Sequence, residues 1–134
     1  MFSSLIQLCR KLIVPLGWTV FTQVLLCLPG TLFEGSGMLN IPHLDKFAHL
    51  ILFGGLSLFW NLFFHFRKKS FSIHPFLLVF LMASAYGIAI EFFQLYFIPN
   101  RSFDVGDIVA DICGALCGYF ATIIILRSKF VTKN

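Results

Sequence analysis

The sequence predicts an all-α membrane protein, a bundle of four transmembrane helices with both termini in the cytoplasm. Hydrophobic residues make up 58% of the 134 residues and charged residues only 12%, whereas a soluble domain carries about 25% charged residues. So few charges leave too little polar surface to cover a molecule folded in water. We therefore expect one membrane domain over residues 1–134, built from uncharged runs and oriented by its basic residues.

Four stretches without a charged residue define the predicted helices. They are Leu12–Phe33, Phe47–Phe66, Ser70–Ile90 and Ile112–Leu126, which are 22, 20, 21 and 15 residues long. Because a helix needs about 20 residues to cross the hydrocarbon core, the first three are long enough. The fourth reaches that length only if it extends back to Asp107, and carboxylates within the membrane tend to be functional.

The first run has an alternative interpretation as a cleaved signal peptide. Arg10 and Lys11 precede it, as the basic region of a signal would. The segment Cys27-Leu28-Pro29, however, lacks the small residues of a cleavage site. We expect a retained helix.

The placement of lysine and arginine predicts the orientation. In a four-span arrangement, eight of the ten basic residues fall on one side: Arg10, Lys11, Arg67, Lys68, Lys69, Arg127, Lys129 and Lys133. The other side holds Lys46, Arg101 and all six acids, which are Glu34, Asp45, Glu91, Asp104, Asp107 and Asp111. We expect the basic side to be cytoplasmic, in the plasma membrane, and the acidic side to face outwards. The net charge of +4 then reflects topology and indicates no nucleic-acid partner.

Local signals place two polar residues on the predicted second helix. Pro42 suits the first position of a helix, and Asp45 would then lie in the first turn, where its charge is favourable to the helix dipole. His49 follows four residues later and lies on the same face, one turn deeper.

The third helix is predicted to run from Pro75 to Gln94, with Glu91 one turn inside the outer boundary. Gly87 lies one turn below Glu91 on the same side, and the pair Pro99-Asn100 indicates the turn that ends this helix.

The fourth helix carries the clearest pattern in the sequence. Asp104, Asp107, Asp111, Gly114 and Gly118 are spaced by 3, 4, 3 and 4 residues and form one stripe. Asp104 suits a helix cap, and the two glycines form a small-residue packing motif. The face that can approach another helix is therefore the face that carries the acids. We expect polar residues of helices 2, 3 and 4 to converge near the outer leaflet.

Three ordered motifs resemble the VanZ-like family. The segment Asp45–His49 is similar to the family's D-K-x-x-H motif, Glu91–Gln94 to its E-x-x-Q, and Pro99–Asp107 to its P-x-R-x-x-D-x-x-D. Gly114 and Gly118 match the glycines that follow. The resemblance covers residues from about 45 to 118, just over half of the chain.

The resemblance implies a fold and an outer site, but no reaction, because no activity is established for the family. Its name comes from a glycopeptide-resistance protein associated with teicoplanin, so an effect on glycopeptide susceptibility is an implication for some members. Where the family usually has asparagine, this chain has Asp111. The candidate binding residues are Asp45, Lys46, His49, Glu91, Gln94, Arg101, Ser102, Asp104, Asp107 and Asp111.

Three classes of function remain open. A binding protein would hold the headgroup of an amphiphile or a lipid-linked cell-envelope intermediate. Arg101, Lys46 and a protonated His49 would then meet phosphate while acids and amides accept hydroxyl or amine donors. A membrane enzyme would use His49 and a carboxylate, Glu91 or Asp107, as acid and base. A scaffold or small transporter is the third class, and a transporter of four short helices would need to form a homo-oligomer.

Structural roles compete with each functional role. Arg101 and the acids would also form an ion-pair network that orders an outer loop, and His49 would also hydrogen-bond Glu91 or Gln94. A divalent cation bridging His49 and the carboxylates of Glu91, Asp107 and Asp111 is also conceivable, but this set of ligands fits manganese or magnesium poorly to moderately. We predict no metal and no cofactor, no known catalytic motif, and membrane lipids or a lipid-linked intermediate as partners.

Overall fold

A computed structural model describes residues 2–29, 43–68 and 73–131, with side chains described for residues 11–29, 43–67 and 73–128. It contains four helices: α1 (Phe2–Leu26), α2 (Leu44–Lys68), α3 (Ile73–Phe97) and α4 (Val105–Val131). The described ranges contain no strand, which confirms the predicted all-α bundle. The predicted helix start at Pro42 lies outside the described residues.

Three helices in the described part of the chain are long and apolar enough to cross a membrane. These spans are Leu44–Arg67, Ile73–Phe97 and Val105–Ser128. In α1 the apolar part with described side chains, Lys11–Leu26, is shorter. The membrane character is therefore clear, whereas the crossing of α1 and the side on which the termini lie remain predictions.

The helices around the polar residues begin and end where backbone chemistry requires. The third helix runs beyond its predicted bounds, from Ile73 to Phe97, so Pro75 lies in its first turn, where a missing N–H is tolerated. The chain then turns at Asn100, whose φ of 57° is a left-handed value that asparagine tolerates. The fourth helix begins at Val105, so the short fourth run is the apolar part of a longer helix.

The closest helix packing is between α2 and α4. A Cβ atom added at Gly114 would overlap the carbonyl oxygen of Leu50, and one added at Gly118 would overlap the carbonyl oxygen of Gly54. The two backbones are therefore in direct contact, which confirms the expected approach of the fourth helix at its glycine stripe. The contact fixes the height of the acids of α4 relative to the polar residues of α2.

The first helix packs on the deeper half of α2 through tryptophan. The indole N–H of Trp18 donates to the carbonyl oxygen of Leu52 at 2.9 Å, and the indole of Trp60 donates to the hydroxyl of Thr19 at 3.0 Å. A side chain at Gly55 would collide with the Trp18 ring. Two indole hydrogen bonds and the absence of a side chain at Gly55 thus allow α1 to pack closely against α2.

Candidate functional site

A buried histidine and aspartate join α2 to α4. His49 Nδ1 lies 2.9 Å from Asp111 Oδ1, and both side chains are fully buried. Glu91 and Gln94 were the partners expected for His49 from the sequence, but in the structure the partner is Asp111. The reason is the backbone contact between α2 and α4, which sets the two residues at the same height.

Lysine 46 links two acids at the start of α4. Its ammonium pairs with Asp104 Oδ2 and lies 3.1 Å from Asp107 Oδ1. Asp104 also caps α4, because its Oδ1 accepts the backbone N–H of Gly106 at 2.6 Å. The hydrogen bond from Lys46 and the bond from the Gly106 backbone hold the pKa of Asp104 below its usual value.

Arginine 101 forms an ion pair with the start of α2. Its Nη1 lies 2.8 Å from Asp45 Oδ2, and the arginine side chain is only 10% exposed, whereas the aspartate is 45% exposed. This pair ties the α3–α4 connection to the first turn of α2. Ser102, the next residue, is exposed in the same connection.

Two residues of α3 contribute buried polar groups. Glu91 is fully buried, and its Oε2 accepts the backbone N–H of Asp104 at 3.0 Å. Gln94 donates from its amide to the carbonyl oxygen of Leu26 at 2.8 Å. The glutamine thus satisfies a backbone acceptor at the end of α1, which is a structural role.

Three buried polar atoms of this cluster have no hydrogen-bond partner among the described residues. They are His49 Nε2, Glu91 Oε1 and Asp111 Oδ2. Buried polar groups are nearly always paired in native proteins, and the exceptions often mark sites for water, ions or ligands. These three buried atoms are therefore the points of the cluster at which a further hydrogen bond or a ligand would be accommodated.

A glycine on α3 makes room for one of these acids. A Cβ atom added at Gly87 would lie 2.7 Å from both Cβ and Oδ2 of Asp111. The carboxylate thus points from α4 directly at the backbone of α3. The spacing from Gly87 to Glu91 in the sequence placed both residues on one face, but it did not show that Asp111 occupies this space.

The structure brings together nearly all of the predicted site residues. Residues from α2, the α3–α4 connection and α4 form one ion-paired cluster: Asp45, Lys46, His49, Arg101, Asp104, Asp107 and Asp111. Glu91 joins it through the Asp104 backbone. Gln94 instead hydrogen-bonds the end of α1, and Ser102 is exposed beside the cluster. We refer to the ion-paired residues together with Glu91 as the outer cluster, since the sequence predicts that it lies in the outer leaflet.

Below the outer cluster lies an apolar cavity that the sequence did not predict. Its volume is about 280 Å³, and α1, α2 and α3 contribute its lining, which includes Thr19, Leu56, Trp60, Val79 and Tyr86. No sequence signal marked it, because the lining residues look like ordinary membrane-facing residues. The Tyr86 ring stacks on Phe53 at 5.5 Å, and the Phe53 ring lies parallel to the His49 ring at 6.5 Å. Aromatic rings therefore connect the cavity to the outer cluster.

The fold and the outer cluster define a helical, multi-pass membrane protein with a network of buried charges between its helices. A family model described as VanZ/LLP1 matches residues 5–126, and the chain belongs to this family. The match extends beyond the motif region of residues 45–118 to include most of α1. Comparison with curated proteins and with solved structures found no match.

Proposed function

We propose that this protein binds the polar headgroup of a membrane amphiphile, such as a lipid-linked cell-envelope intermediate, at the outer cluster. The observation that carries the proposal is the pair of buried carboxylate oxygens, Glu91 Oε1 and Asp111 Oδ2, which lack a donor among the described residues. An unpaired buried acceptor costs about 1–3 kcal/mol, so a ligand that supplies donors would be stabilised there.

The charge pattern favours a headgroup with hydroxyl or amine groups. Lys46 and Arg101 already bind the carboxylates of Asp107 and Asp45. An anionic phosphate would have to displace these pairs, whereas hydroxyl and amine donors would complement the unpaired acceptors. The ligand that fits best therefore presents donors to the acids and keeps any phosphate near the exposed edge of the cluster.

The cavity supports an amphiphile over a water-soluble ligand. Its volume of about 280 Å³ lies within the membrane-spanning part of the bundle, and its lining is almost wholly apolar. Apolar cavities of about 150 Å³ bind benzene-sized molecules, so this one accommodates a segment of a hydrocarbon chain. A ligand with its head on the outer cluster and part of its chain in the cavity would use both features.

Native mass spectrometry of the protein released from its own membrane tests the proposal. We expect a retained lipid species that is lost in Glu91→Gln and, independently, in Val79→Trp, which fills the cavity. Val109→Trp is the matched control, since Val109 is 54% exposed on α4 and lies outside the cavity lining. Retention of the same species in Glu91→Gln and Val79→Trp would contradict the proposal.

Cellular susceptibility to glycopeptides provides a second measurement. If the bound species is a glycopeptide target or its precursor, loss of the protein should change the inhibitory concentration, and Glu91→Gln should reproduce the loss at unchanged protein level. If the inhibitory concentration is unchanged both in the strain that lacks the protein and in the Glu91→Gln strain, the protein does not contribute to glycopeptide resistance, whether or not it binds a headgroup.

A membrane enzyme is the second candidate, and the His49–Asp111 pair favours it. A carboxylate that holds one ring nitrogen fixes the orientation of an imidazole and leaves the other nitrogen for proton transfer. His49 Nε2 is that second nitrogen, and it lies 4.0 Å from Asp107 Oδ2. Conversion of the retained lipid in a reconstituted membrane, abolished by His49→Gln, would establish catalysis; recovery of the lipid unchanged would favour binding alone.

A further inference from the structure

Three side chains of the outer cluster place metal-binding atoms around a common point. Asp45, His49 and Asp107 each offer one ligand atom, and these atoms lie within 4.8 Å of one another. His49 Nε2 and Asp107 Oδ2 are 4.0 Å apart, so a small shift of the two side chains would bring both atoms to the roughly 2.0–2.2 Å that a bound ion requires. Although the sequence led us to expect no metal, we propose from this geometry that these three residues bind a divalent transition-metal ion.

Each of the three candidate ligands is oriented by a different neighbour. Arg101 holds Asp45 at 2.8 Å, Asp111 holds His49 at 2.9 Å, and Lys46 holds Asp107 at 3.1 Å. In metal sites a ligating histidine typically donates its other ring N–H to a carboxylate, and ligating carboxylates are themselves hydrogen-bonded. The outer cluster has this organisation in full.

The buried nitrogen of His49 is an independent observation that points to a ligand. The imidazole is fully buried, Nδ1 is used by Asp111, and Nε2 has no hydrogen-bond partner among the described residues. Nε2 faces Asp107 Oδ2, whose sister oxygen Oδ1 is the one that Lys46 binds. His49 and Asp107 therefore each use one atom for a neighbour, and their second atoms face each other at the proposed site.

The charge balance of the outer cluster also favours a cation. Five carboxylates lie there, against the permanent positive charges of Lys46 and Arg101. The carboxylates therefore outnumber the cationic side chains by three. A divalent cation is a ligand that such a set of oxygen atoms attracts.

The ligand types narrow the choice of ion. Imidazole suits zinc, iron and nickel, whereas carboxylates suit manganese and magnesium. One imidazole with two carboxylates leaves an open coordination position and fits Zn²⁺ or Mn²⁺ better than Ca²⁺. Asp45 is 45% exposed, so water or a headgroup would be able to reach an ion held there and complete its coordination.

Titration of purified, tag-free protein in detergent tests this inference. Zn²⁺ binding is followed by calorimetry and Mn²⁺ binding by electron paramagnetic resonance, and we expect one saturable site. Asp45→Asn, at an exposed position, and His49→Gln should each weaken binding by more than about tenfold, while Asp111→Asn, which changes only an orienting neighbour, should weaken it by about tenfold.

His74→Gln is the matched control, because it removes an exposed imidazole at the start of α3 and should leave the affinity unchanged. No saturable binding of either ion by the wild type, or equal affinity in Asp45→Asn and the wild type, would overturn the inference. If His49→Gln fails to fold, Asp45→Asn still decides the outcome. Lipid-free samples keep the result separate from headgroup binding, since the ion needs no lipid in order to bind.

Discussion

At the scale of single residues, the outer cluster shows how a membrane helix carries several acids. Asp107 and Asp111 are almost fully buried, yet each has a partner on α2, namely Lys46 and His49. A charge is expensive within a membrane unless it is paired. The pairs across the α2–α4 contact therefore have a structural role in addition to any role in binding.

Substitution of Lys46 should therefore lower the stability of the protein. Lys46→Met leaves Asp107 buried without its cation. When one partner of a fully buried ion pair is removed, the free energy of unfolding typically falls by about 3–5 kcal/mol. The loss here should be smaller, because the lysine side chain is 34% exposed. Thermal unfolding in detergent should show a lowered Tm for Lys46→Met and a recovered Tm for the double variant Lys46→Met/Asp107→Asn. A double variant less stable than the single variant would mean that the pair is not the source of the loss.

Asp111 should tolerate asparagine but not leucine. Asparagine at this position retains an oxygen that accepts the hydrogen bond from His49 Nδ1. Leucine removes the acceptor and leaves the buried imidazole unpaired, at a cost of about 1–3 kcal/mol. Asp111→Asn should therefore unfold near the wild-type temperature and Asp111→Leu well below it. Similar temperatures for both would indicate that the His49 hydrogen bond contributes little.

At the scale of helices, the contact between α2 and α4 determines which polar residues meet. Gly114 and Gly118 allow the helices to touch at Leu50 and Gly54. Small residues have this role at membrane helix interfaces, because close backbone approach maximises van der Waals packing. The same glycines lie on the stripe that carries the acids, so packing and site formation depend on one surface.

Substitution at Gly118 should therefore disrupt the bundle. Even Gly118→Ala places a methyl group where the Gly54 carbonyl lies, and such overpacking typically costs about 1–3 kcal/mol. Gly118→Leu should abolish most of the folded yield measured by size-exclusion chromatography. Cys117→Leu is the matched control, because the adjacent residue is exposed and should accept leucine. Equal yields for the two leucine variants would show that α2 and α4 are not in contact at this point.

At the scale of the whole molecule, the orientation in the membrane remains a prediction. It rests on the eight basic residues assigned to one side in a four-span arrangement. In a background without native cysteines, we expect Ser128→Cys to be labelled from the cytoplasm and Ser102→Cys from outside the cell by an impermeant thiol reagent. Both positions are exposed in the structure. The reverse labelling pattern would place the outer cluster in the inner leaflet.

The helices and the residues of the cluster were predictable because they depend on local patterns. Uncharged runs locate membrane helices, and a repeat of three and four residues places Asp107, Asp111, Gly114 and Gly118 on one face. The exact helix bounds were less predictable, since α3 extends beyond both Pro75 and Gln94. Helix ends depend on capping and on tertiary contacts as well as on apolar sequence.

The sequence by itself determined the fold class, the family and the set of polar residues at one end of the bundle, because hydrophobicity and spacing act along the chain. Only the tertiary structure decided the partners: Asp111 for His49, Asp45 for Arg101, and the Leu26 carbonyl for Gln94. It also decided where the apolar cavity lies and which buried atoms stay unpaired. These features depend on the relative height and rotation of separate helices. Backbone contacts at the glycines fix that height and rotation, and the spacing of residues within one helix does not encode them.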